Sequence, residues 1–215
     1  RVVLGAGELP AFGVVPPGMD GYDPRQMPLA EASQAEREAA ARKLLATAGY
    51  GRDRPLLLQL RYNTSALHRR IAVTVAAMWK QVLGVNTELV NEEWKVFVNN
   101  RRMGVVTEVF RGGWIADFAD PSSFLDLFLA GSEVNTSFYA DAGFEQLMER
   151  ARQAPGDERL ALLGRAEARL LDTLPVIPLY YYVSRHLVKP DVGGFVDNIR
   201  DIHLSRFLSK GKDGF

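Results

Sequence analysis

Residues Leu56–Val90 read LLLQLRYNTSALHRRIAVTVAAMWKQVLGVNTELV. The apolar run from Leu56 to Tyr62 reads as a strand. Ser65 is placed to cap a helix whose inner stripe is Ile71, Val75, Met78, Trp79 and Val82. Gly84 ends that helix, because glycine enters the left-handed conformation at no steric cost. Val85 to Val90 is a second strand. Strand, helix and strand in this order predict a parallel pair with a right-handed crossover, and hence an α/β fold.

Working outward, a short helix from Trp94 to Asn100 leads to a third strand at about Val105 to Phe110. Helices follow over Pro121–Leu129, Asp141–Gln153 and Asp157–Asp172. The first begins with proline, which suits a first turn. The last carries Leu160, Leu163, Ala166, Leu170 and Leu171 at helical spacing and is closed by Pro175. Val176–Val183, VIPLYYYV, reads as an apolar strand, and Pro178 confines it to an edge or a crossing between layers. Upstream, Ser33 and Glu36 form a capping box for a helix that runs to about Ala48 and stops at Gly49. Residues 1–33 are rich in Gly and Pro and read as an ordered crossing segment. The tail from Pro190 is looser. There is no internal repeat and no low-complexity tract.

The chain has 215 residues, 47% of them hydrophobic, enough for a sizeable core. Lys plus Arg and Asp plus Glu are each 26, so the net charge is zero. Neither half is strongly basic, which argues against a nucleic-acid partner. No apolar run is long enough to span a membrane. Cysteine is absent, which removes disulfides, thiol catalysis and thiolate metal sites and fits either cytosol or periplasm. The opening residue is Arg1 with no signal peptide, as in a processed product or a cut from something longer.

Open α/β sheets bind ligands outside the carboxyl ends of their strands. The first strand here ends at Tyr62 and is followed by Asn63, Thr64 and His68. The second is followed by Asn91, Glu92, Glu93 and Trp94. The third is followed by RGGWIADFADPSSF, residues 111–124, with Arg111, Trp114 and Asp117. If the strands are parallel, these clusters converge on one sheet edge. An aromatic wall with one fixed positive and one fixed negative charge suits a ligand that carries both, such as a free peptide. Blander readings stand beside this one. Arg111 also fits a surface ion pair, Trp94 and Trp114 fit a core, and His68 fits a structural first-turn residue. Asp120 before Pro121 reads as an N-cap. Asp117 with Asp120 allows a carboxylate-pair hydrolase, with nothing beyond the pair to favour it. An interaction lobe that docks a permease or chaperone client is a third possibility. His68, His186 and His203 show no metal-ligand spacing, and no phosphate loop, dinucleotide fingerprint or nucleophile elbow is present. No metal and no cofactor are expected.

Five stretches, in order, resemble the C-terminal part of the oligopeptide-binding proteins of bacterial ABC importers. They are YNTSALH at 62–68, NEEWKVF at 91–97, RGGWIADFADPSSF at 111–124, IPLYYYV at 177–183 and LVKP at 187–190. The resemblance implies a type II periplasmic-binding-protein lobe, a mixed sheet flanked by helices, with a return segment to a first lobe that this sequence lacks. It divides the chain into a crossing segment at 1–33, a ligand-binding lobe at 34–175 and a return strand and tail at 176–215. It implies a non-enzymatic peptide carrier of the periplasm that serves a permease of the inner membrane and is lipid-anchored when full-length. Residue by residue, Asp117 matches the acid that receives the peptide ammonium. Arg111 and His68 match partners of the peptide carboxylate at different ligand lengths. Asn63, Trp94 and Trp114 match cleft-lining positions, and Tyr182 lies on the tyrosine-rich strand near the hinge.

Overall fold

The computed structural model describes residues 4–5, 7–105, 108–198 and 200–211. In chain order the elements begin with β1 (Leu9–Pro10), α1 (Gln34–Thr47), β2 (Leu57–Asn63), α2 (Ala66–Leu83), β3 (Asn86–Glu92), α3 (Trp94–Arg102) and β4 (Val109–Phe110). They continue with α4 (Ser122–Leu125), α5 (Ala142–Gln153), α6 (Gly156–Thr173), β5 (Tyr180–Tyr181), β6 (Val192–Gly193) and β7 (Ser209–Lys210). These form two compact units. The first comprises residues 1–5, 26–113 and 128–141, and the second residues 6–25, 114–127 and 142–215.

In the first unit β2 is the centre of a three-stranded sheet of order β3-β2-β4. Both pairings are parallel, with Leu57 opposite Asn86, Asn63 opposite Glu92, and Leu60 opposite Val109. The crossover helix α2 starts where Ser65 accepts a hydrogen bond from the His68 amide, and it ends at Gly84 with φ 72°. Leu60, Tyr62 and Ala72 are buried, and Val75, Leu89 and Val109 pack against them. The inner face of α2 therefore follows Ala72, Val75 and Trp79, and Met78 points outward at 51% exposure. Met78 sits about 100° off the stripe, one residue from its centre. The strand expected at Val105–Phe110 pairs only at Val109 and Phe110, and Val106 and Thr107 lie outside the described residues. At α1 the capping box is complete: Ser33 Oγ accepts from the Glu36 amide, and Glu36 Oε2 accepts from the Ser33 amide at 2.7 Å.

In the second unit α5 packs on α6. Phe144, Met148 and Ala151 face Leu162, Leu163, Ala166, Leu170 and Leu171, all buried. The stretch expected as a helix over Pro121–Leu129 is α4 followed by a 3-10 turn at Asp126–Phe128. The apolar run Val176–Val183 forms only two residues of strand, β5, paired antiparallel with β1. Pro178 brings no N–H to a ladder, and Ile177, Leu179 and Tyr182 are exposed. β6 and β7 form a second antiparallel pair.

One buried carboxylate ties residues 13–25 to α6. Glu167 is fully buried. Its Oε1 accepts from the amides of Val14 and Val15 at 3.1 and 2.8 Å, and its Oε2 accepts from the Tyr22 hydroxyl and the Arg25 amide at 2.6 and 2.8 Å. Four donors replace the water that the carboxylate loses on burial. The Tyr22 phenol is pushed up, first by burial and then by the charge of Glu167. Gly13 sits in the same knot, and a Cβ there would run into the Arg25 carbonyl.

Candidate functional site

The carboxyl edge of the parallel sheet in the first unit brings together Asn63, His68, Trp94 and Arg111. Asn63 is the last residue of β2. It is buried, and its side-chain oxygen meets no partner. His68 stands in the first turn of α2, where the Ser65 cap holds its amide, and its ring Nδ1 is buried without a partner. Burial, and then the charge of Arg111, hold the His68 pKa below its ordinary value, and the nearby Asn63 backbone works weakly the other way. Trp94 opens α3, half exposed, with its ring 6.4 Å from Phe97. Arg111 follows β4, and its amide donates to the Arg61 carbonyl at 2.8 Å.

A residue that the sequence did not single out joins this edge. Arg101 lies between the rings of Phe97 and Phe110, at 5.5 and 5.4 Å, and donates to the Arg111 carbonyl at 3.3 Å. Its Nε is buried without a partner. Burial, and then Arg111, lower its pKa. In the sequence, Arg101 and Arg102 look like ordinary cations at a helix C-terminus. Only the fold shows that Arg101 turns inward. Arg61 and Glu92 form a mostly buried ion pair at 2.7 Å beside it, and Asn100 donates to the same Glu92 oxygen at 2.9 Å. The edge thus offers two guanidiniums and a histidine, with unpaired N–H and ring nitrogen positions.

Trp114, Asp117 and Tyr182 belong to the second unit. Trp114 is half-buried, and its indole N–H has no partner. The Asp117 amide donates to Ser123 Oγ at 2.9 Å, which fixes the backbone, while the residue itself is exposed. Asp120 is committed to structure. Arg159 donates to both its oxygens at 2.7 and 2.8 Å, and Ser122 donates to it through amide and hydroxyl. Burial pushes its pKa up, but these hydrogen bonds outweigh burial and leave the pKa low. Tyr182 is half exposed, with its ring 5.1 Å from Tyr180. The neighbouring Tyr181 hydroxyl lies 3.0 and 3.1 Å from the Gly13 and Val15 carbonyls, and burial, then Glu167, push its pKa up to about 12.

The chain is similar to proteins already known. The sequence profile described as "Bacterial extracellular solute-binding proteins, family 5 Middle" matches residues 1–136. The chain belongs to this family. It is 42% identical over 194 residues to the periplasmic oligopeptide-binding protein OppA of Escherichia coli, covering 90% of this chain and 36% of OppA. The structure of the Escherichia coli murein tripeptide binding protein MppA superposes with a TM-score of 0.87 at 36% identity, over 98% of this chain and 42% of that one. Haemophilus influenzae OppA in complex with RPPGFSPFR gives 0.86 at 31% identity, over 98% of this chain and 42% of that one. The chain therefore spans little more than a third of the length of the curated relative. The family-5 fold here is an α/β lobe of the type II periplasmic-binding-protein class.

Proposed function

We propose that this family-5 chain is one lobe of the substrate-binding component of an ABC peptide importer. Together with an N-terminal lobe of the same protein it encloses short peptides in the periplasm and delivers them to a permease in the inner membrane. The carrying observation is the cationic edge of the first unit, where Arg101 Nε and His68 Nδ1 are buried unpaired beside Arg111. Buried polar atoms without partners cost about 1–3 kcal/mol each, and a ligand carboxylate relieves that cost. Asp117 supports the other half of the reading, because its exposed carboxylate forms no ion pair among the described residues. A free peptide carries both complementary charges.

Roles follow residue by residue. Asp117 receives the peptide ammonium, and Arg111 or His68 receives the carboxylate according to ligand length. Asn63 and Trp94 in the first unit, and Trp114 and Tyr182 in the second, each contribute contacts to the peptide. Residues 34–175 are the ligand-binding lobe, with 1–33 and 176–215 as crossing and return segments. Lobe closure makes the ligand-loaded form that the permease reads. This reading has no catalytic step, and the hydrogen bonds that hold Asp120 to Arg159 and Ser122 weigh against the carboxylate-pair hydrolase.

Asp117→Asn removes one ionic partner while keeping the shape. Calorimetric titration of the full-length variant with a free tripeptide is expected to show binding weakened by about 1.5–3 kcal/mol, the usual worth of a hydrogen bond to a charged group. Unchanged affinity removes Asp117 from the ammonium site.

A further inference from the structure

The three histidines show no metal-ligand spacing in the sequence, yet the fold brings His186 and His203 onto one acid. His186 Nε2 and His203 Nε2 lie 2.6 and 3.0 Å from the same oxygen of Asp201, Oδ1. The candidate ligand atoms of the three residues all lie within 4.8 Å of one another. The rings are held by aromatic packing. Phe195 stacks on His203 at 3.9 Å and 14°, and the His186 ring lies 5.1 Å from Phe195 and 5.0 Å from His203. The acid is held as well. Asn198 accepts from the Ile202 amide and donates to the carbonyls of Val196 and Ile202, which braces the turn that carries Asp201. Asp201 adopts φ 52°, a left-handed conformation that aspartate tolerates better than most residues. Ser184 also hydrogen-bonds its carboxylate, which is the kind of outer partner that orients metal-bound carboxylates.

In the hydrogen-bonded form each Nε2 presents a proton to the shared oxygen. One divalent cation replaces both protons and uses the same three atoms. Metal–ligand bonds of about 2.0–2.1 Å in a tetrahedron set neighbouring donors roughly 3.3 Å apart. The observed 2.6 and 3.0 Å therefore need to open by less than an ångström. Two imidazoles with one carboxylate, and no thiolate, suit borderline first-row cations better than calcium or magnesium. The side chains of His186, Asp201 and His203 retain 33%, 40% and 13% exposure, which leaves a path for the ion and room for water as a fourth ligand. We propose that His186, Asp201 and His203 form a three-ligand site for a zinc-class divalent cation, which staples the segment from His186 to His203 closed. The site lies wholly in the second unit and uses none of the residues assigned to the peptide.

The test is calorimetric titration of the metal-stripped chain with Zn2+ alone, paired with thermal melting and with the visible absorption of Co2+ in place of zinc. The expected result is one equivalent of zinc bound, a raised melting temperature and a tetrahedral cobalt spectrum. His186→Ala leaves the Phe195–His203 stack in place, and Asp201→Asn keeps a hydrogen-bond acceptor. Each is expected to weaken zinc binding by more than the roughly 10–100-fold that a lost outer-shell partner costs. Asp53→Asn, in an exposed turn of the first unit, is expected to bind zinc as the parent does. Circular dichroism separates loss of the site from loss of the fold. No saturable zinc binding by the folded chain overturns the proposal, and so does equal binding by the His186 and Asp201 variants.

Discussion

A histidine that loses solvent and faces an arginine gives up its proton more readily than one in water. Both causes act on His68, burial first and Arg111 second. Its folded pKa lies below the unfolded value of about 6.5. The stability it contributes is therefore complete above about pH 6.5 and is lost as pH falls through the folded pKa. A carboxylate bound at His68 favours the charged ring and reverses that depression. Near pH 6.5 peptide binding is thus expected to draw in a fraction of a proton. Calorimetry in two buffers of different ionisation enthalpy reads this as unequal apparent enthalpies, and the difference disappears in His68→Ala. Buffer-independent heats in the parent protein place the carboxylate elsewhere. Some of these residue roles were legible in the sequence and some were not. Asp120 reads as a cap because a proline and a helix follow it, and it accepts from the Ser122 amide. Asp117 lacks that local explanation and remains exposed. Arg101 could not be picked out, since its burial depends on the rings of Phe97 and Phe110 around it.

At the level of elements, local cues are legible in the sequence and long-range ones are not. β2, α2 and β3 are announced by a cap at Ser65, a stop at Gly84 and two apolar runs, all within 36 residues of one another in Leu57–Glu92. The run Val176–Val183 carries equal apolar content, yet only Tyr180 and Tyr181 pair, because a strand needs a partner and Pro178 withholds a donor. Glu167 sits in α6 like any surface glutamate by sequence. Its partners lie 142 to 153 residues away, beyond any local pattern. Removing this carboxylate strands three backbone amides and a phenol. Glu167→Ala is expected to lower unfolding free energy by at least about 3 kcal/mol, measured by urea denaturation, and a loss under 1 kcal/mol contradicts the structural role. The helix faces give a paired prediction. Leu170→Ala, in the α5–α6 core, is expected to cost about 2–5 kcal/mol. Met78→Ala, on the outer face of α2, is expected to fall within about 0.5 kcal/mol of the parent. Equal losses would put Met78 back on the inner stripe.

For the whole molecule, the sequence carried the α/β class, the parallel pair and the family motifs, and the family match and superpositions agree with them. It did not carry the division into two units, because each unit is assembled from three separate stretches of chain. Nor did it carry the association of His186 with Asp201 and His203, which a turn of the tail creates. The central claim is capture of a free peptide through its two charged ends. The measurement that tests it most directly is calorimetric titration of the full-length protein with one tripeptide in two forms, unmodified and N-acetylated. Acetylation replaces the ammonium by a neutral amide and leaves the carboxylate and side chains in place. Tight binding of the free peptide, weakened at least about tenfold by acetylation, is the predicted result. Equal binding of both forms, or no binding of either, contradicts capture through an ammonium site and directs the search to another solute.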